Sequence, residues 1–166
     1  MEKEFYLPAE WQKQSFIQLT WPHEETDWAY MLDEVEKCFL QLAREIASRQ
    51  QLVVVAPQFP DALKDFEYKE NLIYVSCPTN DTWARDHAFI TLQQKDAAPM
   101  LLDFCFNGWG MKFAANKDNL INGRLYKTGL LNGHYVNCRN FVLEGGSIES
   151  DGKGTVFTTS CCLLAP

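Results

Sequence analysis

The chain has 166 residues, of which 46% are hydrophobic and 22% charged, with eleven Phe, six Tyr and five Trp. An aromatic-rich chain of this length is not a disordered one and can bury a real core. Its net charge of −7 argues against nucleic acid, which binds through basic patches, and no run approaches the ~18 apolar residues of a membrane span.

In chain order, residues 1–26 are irregular and punctuated by Pro8 and Pro22, with Phe16 to Trp21 as a first strand. From Asp27 to about Ser48, apolar residues at Trp28, Met31, Leu32, Val35, Phe39, Leu42 and Ile46 predict an amphipathic helix, with Thr26 as its N-cap. Leu52 to Ala56 is a β-branched run suited to a strand covered on both faces. A short helix over Pro60 to Phe66 and a strand over Asn71 to Val75 complete a β-α-β pattern with parallel pairing. His87 to Leu92 and Met100 to Phe104 predict a hairpin. Residues 115–131 suggest a helix broken near Asn122-Gly123, and His134 to Cys138 and Asn140 to Leu143 two short strands. Asp151 to Gly154 is the turn of a last hairpin whose second strand runs on from Val156 to Leu164. No linker composition divides the chain, so residues 1–166 form one domain. An apolar strand near Pro166, with no closing helix, suggests a truncated chain.

Two polar clusters follow strand-like runs: Asn80-Asp81-Thr82-Trp83-Ala84-Arg85-Asp86-His87 and Leu143-Glu144-Gly145-Gly146. A carboxylate accepts two parallel hydrogen bonds from a guanidinium, and an indole offers a good cation–π face. Asp86 and Trp83 can therefore border one cationic cavity, or Asp86 can pair with Arg85 while Trp83 packs inside. A carboxylate ending a buried strand is expensive unless paired, so Glu144 points to a ligand, with a cap of a tight turn as its structural alternative. Trp21-Pro22-His23 and Trp109 either line a pocket or pack. Cys161 and Cys162 sit in an apolar strand and are expected to be inert, and His87 is more readily a structural histidine than a base. Six unpaired-looking cysteines and no secretory h-region in Met1 to Tyr6 favour reduced thiols in the cytoplasm. The three histidines are too scattered for a metal site.

Five collinear stretches then carry a resemblance: Leu7-Pro8-Ala9-Glu10-Trp11, Thr20-Trp21-Pro22-His23, Thr79 to Asp86, Phe106-Asn107-Gly108-Trp109-Gly110-Met111-Lys112-Phe113, and Leu143 to Glu149. Together they resemble the first half of agmatine deiminase, within the guanidine-modifying penteins that include the bacterial peptidylarginine deiminase. The resemblance implies an α/β fold, a partial α/β propeller of about two to three ββαβ modules out of five. It implies hydrolysis of agmatine to N-carbamoylputrescine and ammonia through a Cys-linked amidino intermediate, with no metal or organic cofactor. It assigns Asp86 to the guanidinium nitrogens, Glu144 to the guanidinium and the catalytic His, and Trp83 to the substrate's flank, with Trp21 and Trp109 as further candidates for substrate binding. The family's Gly-His-x-Asp segment and nucleophilic Cys are expected after Pro166, and Cys162 matches a family Cys that is not the nucleophile. On this view the chain alone does not turn over. Family relatives are commonly dimers, so a homodimer is the implied assembly. The alternatives are a deiminase of free or peptidyl arginine and a non-catalytic module that binds a cation or partner chain.

Overall fold

The computed structural model describes residues 5–164, so Met1 to Glu4 and the final Ala165-Pro166 lie outside it, along with the leader and truncation readings that touch them. Its fold is mixed α/β. The strands in chain order are β1 (Phe5–Tyr6), β2 (Phe16–Thr20), β3 (Gln51–Ala56), β4 (Leu72–Ser76), β5 (Ile90–Gln94), β6 (Met100–Cys105), β7 (His134–Val142), β8 (Ile148–Ser150) and β9 (Val156–Thr158). The helices are α1 (Leu32–Ala47), the single turn α2 (Ala84–His87), α3 (Ile121–Lys127) and a last turn α4 (Ser160–Leu163). No helix of the described residues is long and apolar enough to cross a membrane.

The chain divides into two compact units and passes between them repeatedly, which is why no linker composition marks a boundary. The parallel unit holds Gln14–Ala84 and Asn116–Ile121. Its sheet, β2-β3-β4, is parallel throughout, with Leu52 opposite both Ile17 and Leu72. Central β3 buries Leu52 through Ala56, as expected of a strand covered on both faces. Leu52, Val54 and Ala56 alternate onto one face and pack with Trp21, Leu63, Phe66 and the small residues Ala43 and Ala47 of α1.

The α1 stripe is Val35, Phe39, Ala43 and Ala47, one residue every turn, and the two alanines let the helix approach the sheet closely. Asp33 and Glu34 occupy its first turn, where acids suit the positive helix end. Three expectations fail here. The helix begins at Leu32, after a 3₁₀ turn over Ala29–Met31, because Trp28 is drawn off to donate its Nε1–H to Thr82 at 3.0 Å. Thr26 is no N-cap; its hydroxyl bonds the His23 carbonyl at 2.7 Å in a turn of its own. Leu42 faces solvent rather than the core.

The mixed unit comprises residues 5–13, 85–115 and 122–164. Its sheet has the order β1-β5-β6-β7, antiparallel except for the β6–β7 pair, and β8 and β9 form a separate antiparallel hairpin. Four sequence expectations are corrected. His87 closes α2 instead of opening β5, whose first residue is Ile90. α3 runs unbroken through Asn122-Gly123. β7 is one nine-residue strand, the slip between Phe104 and Cys105 absorbing what looked like a break near Arg139. Beyond Thr158 the chain turns into α4, so Cys161 and Cys162 are exposed on a helical turn rather than buried in a strand. Thr159 caps that turn by accepting from the Cys162 amide.

Candidate functional site

The predicted segment 79–86 splits into two fates. In the parallel unit, Thr79 to Thr82 follow β4 and are consumed by the fold. Thr79 Oγ1 pairs with His23 Nε2 at 2.8 Å, and Asp81 accepts from the amides of Thr82 and Asp27 at 2.7 and 3.3 Å. The Asn80 amide donates to Asp118 Oδ1 at 2.6 Å, and Asn80 Oδ1 accepts from the Lys117 and Asp118 amides at 2.7 and 3.2 Å. Burial pushes the Asp118 carboxyl up to about 6, against the pull of the amides that bond it. Trp83 ends this segment half-buried. Trp21 is buried in the core, its Nε1–H on Glu36 at 3.0 Å and its ring edge-on to Phe39 at 5.6 Å. That indole packs in the core of the parallel unit.

In the mixed unit, three of the predicted residues converge. Asp86 stands on α2, Glu144 follows β7, and Trp109 lies in the loop after β6. Asp86 Oδ2 accepts the Trp109 indole N–H at 3.2 Å, Glu144 Oε1 accepts the Trp109 backbone N–H at 2.9 Å, and Asp86 Oδ1 accepts the Gly146 amide at 3.0 Å. One tryptophan thus bridges both carboxylates. Neither acid has an ion-pair partner among the described residues. Partial burial raises the Glu144 carboxyl above the ordinary carboxylate value, and the Asp86 charge adds to that push while the Trp109 amide opposes it.

Local backbone geometry produces this convergence. Gly108, Trp109, Gly110 and Met111 all have left-handed φ, at 64°, 56°, 77° and 62°, making one turn of reversed hand. Such geometry costs an L-residue ~1–2 kcal/mol, so Trp109 and Met111 sit there under strain. The turn is tied by Asn107 Oδ1, which accepts the Gly110 amide at 2.8 Å, and by Phe106 and Phe113, edge-on to the Trp109 ring at 5.9 and 5.4 Å. Backbone strain of this kind gathers at binding sites. Gly146 allows the other close approach, because a Cβ there would stand 2.2 Å from Asp86 Oδ1.

Sequence reasoning passed over Asn107, whose place before Gly-Trp-Gly is the signal for a side-chain-capped turn. It also missed the way Arg85 ties α2 to Glu10 and Glu149 of the same unit. His87 is buried, and that burial pulls its imidazole down to about 4, so it is neutral near pH 7. Among the described residues no cluster of His, Cys, Asp and Glu could hold a metal ion.

A family model for the Porphyromonas-type peptidyl-arginine deiminase matches residues 6–166. Among solved structures, one described as "Putative Arginine Deiminase from Porphyromonas gingivalis" is 48% identical with a TM-score of 0.88, covering 98% of this chain and 49% of that one. A C. jejuni agmatine deiminase with substrate bound is 33% identical with a TM-score of 0.85, over 97% of this chain and 47% of that one. A curated protein of Selenomonas ruminantium named "Putative agmatine deiminase" is 31% identical over 97% of this chain and 45% of its own length. The chain spans about half the length of the curated relatives it matches.

Proposed function

Because the chain belongs to the Porphyromonas-type peptidyl-arginine deiminase family, we propose that it supplies the guanidinium-gripping part of a deiminase with a pentein fold, acting on agmatine. The observation that carries this reading is the meeting of Asp86 and Glu144 on one tryptophan, the first at its indole N–H and the second at its backbone N–H, with no Lys or Arg paired to either among the described residues. Burial raises the Glu144 carboxyl, and the neighbouring Asp86 charge adds to that rise, so the ionised pair carries a cost. A flat cation relieves that cost and donates bidentate hydrogen bonds to the carboxylates, which no Lys or Arg pairs with among the described residues.

In the proposed reaction, agmatine's guanidinium displaces the indole N–H from Asp86 Oδ2 and shares its N–H groups between the two acids, beside the ring of Trp109. The acids fix the guanidinium carbon for attack and spread its charge, so the attacking thiolate meets a positioned electrophile. That thiolate and its histidine partner come from the relatives' other half. Attack forms a C–S bond, a C–N bond breaks as ammonia leaves with a proton from the acid–base pair, and water then displaces the thiolate from the S-amidino cysteine to give N-carbamoylputrescine. Glu144, whose carboxyl burial raises, is the acid proposed to exchange a proton during these steps.

A second reading, deimination of arginine, rests on the 48% identity to the P. gingivalis protein named for that substrate. The test is titration of the chain with agmatine and with a blocked arginine peptide, followed by the Trp109 indole resonance, alongside ammonia release by the catalytically complete protein. Agmatine should move that resonance, and Asp86→Asn should abolish both the response and turnover. An indole that ignores agmatine, or an Asp86→Asn enzyme of ordinary rate, would sink the assignment. A response to the peptide alone selects the second reading.

A further inference from the structure

A buried polar chain in the mixed unit stands outside the ligand-gripping group. Asn122, near the start of α3, spends both amide protons: Nδ2 donates to the His87 carbonyl at 2.8 Å and to Asp103 Oδ1 at 2.8 Å. Asp103, on β6, accepts on its other oxygen from the Tyr135 hydroxyl of β7 at 2.6 Å. Asn122, Asp103 and His87 are each no more than 3% exposed.

The acceptor at the end of this chain is the last carbonyl of α2. A single helical turn cannot hold its own shape, and a buried carbonyl needs a donor. An amide alone could meet that need in either orientation. Asp103 removes the choice, because a carboxylate faces only the N–H side of Asn122, which aims the second N–H at His87. Tyr135 keeps the carboxylate hydrogen-bonded, and its phenol, pushed up to about 12 by burial and by Asp103, stays a donor at any working pH. A valine or leucine at position 103 would fill a core without the desolvation cost of an acid.

We infer that Asn122 is a positioning residue for Asp86, fixing the main chain of α2 so that the adjacent carboxylate meets Trp109 and Gly146, with Asp103 and Tyr135 as the lock that orients it. The inference rests on the guanidinium reading for its ligand but not for its geometry, and the experiment separates the two. The Trp109 indole N–H resonance of the full chain, assigned by its loss in Trp109→Phe, reports the hydrogen bond to Asp86 directly. Asn122→Leu should shift that resonance toward the value of a water-exposed indole and weaken agmatine binding about tenfold, the worth of one charge-assisted contact. Tyr135→Phe should move both in the same direction by less, about twofold, since it frees only one end of Asp103. A folded Asn122→Leu chain with the wild-type resonance overturns the inference. If Asn122→Leu does not fold, an unmoved resonance in Tyr135→Phe overturns it equally. If agmatine fails to bind the wild-type chain, the function proposal falls and the indole resonance alone decides this one.

Discussion

In the parallel unit, each polar side chain from Thr79 to Thr82 is taken up by another residue of the fold, and the apolar groups close over β3. In the mixed unit, Asp86 and Glu144 are only partly buried, and what bonds them is main-chain amide and one indole. Both regions place acids in loops beside strands. The acids that are buried and bonded to main-chain amides hold loops together; those left half-wet and without an ion-pair partner are, on the proposed function, the ones a cation uses. Trp21 and Trp109 show the same contrast among aromatics, one bonded into a core and the other strained onto two carboxylates.

The contrast is broken most forcefully at the tryptophans. Trp21→Ala should cost the parallel unit ~3–5 kcal/mol, as expected for removing a large buried aromatic, read from urea unfolding. A loss below about 1 kcal/mol would show that the indole does not hold that core.

The units also titrate in opposite senses. Asp118 is raised to about 6, so its contribution to the parallel unit is complete below its ordinary value of 3.8 and is lost as pH rises through about 6. His87 is lowered to about 4, so its contribution to the mixed unit is complete above 6.5 and is lost as pH falls through about 4. Each amounts to on the order of 3 kcal/mol at full extent. Amide exchange corrected for intrinsic rates, followed from pH 4 to 6.5, should show β3 losing protection while β6 gains it. Slopes of the same sign would refute the opposition, and Asp118→Asn should flatten the β3 response.

A smaller and sharper test is Gly146→Ala. The added methyl must displace the Asp86 carboxylate from a separation of 2.2 Å. Agmatine affinity should fall about tenfold while stability drops by only ~1 kcal/mol, since the turn is exposed. Unchanged affinity would mean that Asp86 does not need its present place.

Much of this was legible in the sequence, and the misses have physical causes. The parallel strands, the first hairpin and the last one announce themselves through apolar runs and glycine turns, which are local signals. The start of α1 was not legible because Trp28 fits a helical stripe yet bonds Thr82, 54 residues away. Asn122-Gly123 looked like a break because glycine weakens helices, but Asn122 is held from both sides by residues distant in sequence. Asp86 and Glu144 could be picked out by their neighbours. Their meeting on Trp109 depends on a reversed turn that no periodicity encodes, though two glycines around a tryptophan hint at it.

The glycine beside Asp86 has a consequence for how this protein can change over time. One oxygen of the acid rests against bare main chain, and there the glycine is a point of veto that admits no side chain. On the proposed function, the two carboxylates can stay still while the surrounding wall drifts, and retuning toward a bulkier guanidine is work for Met111 and Phe113, whose exposed side chains edge the reversed turn.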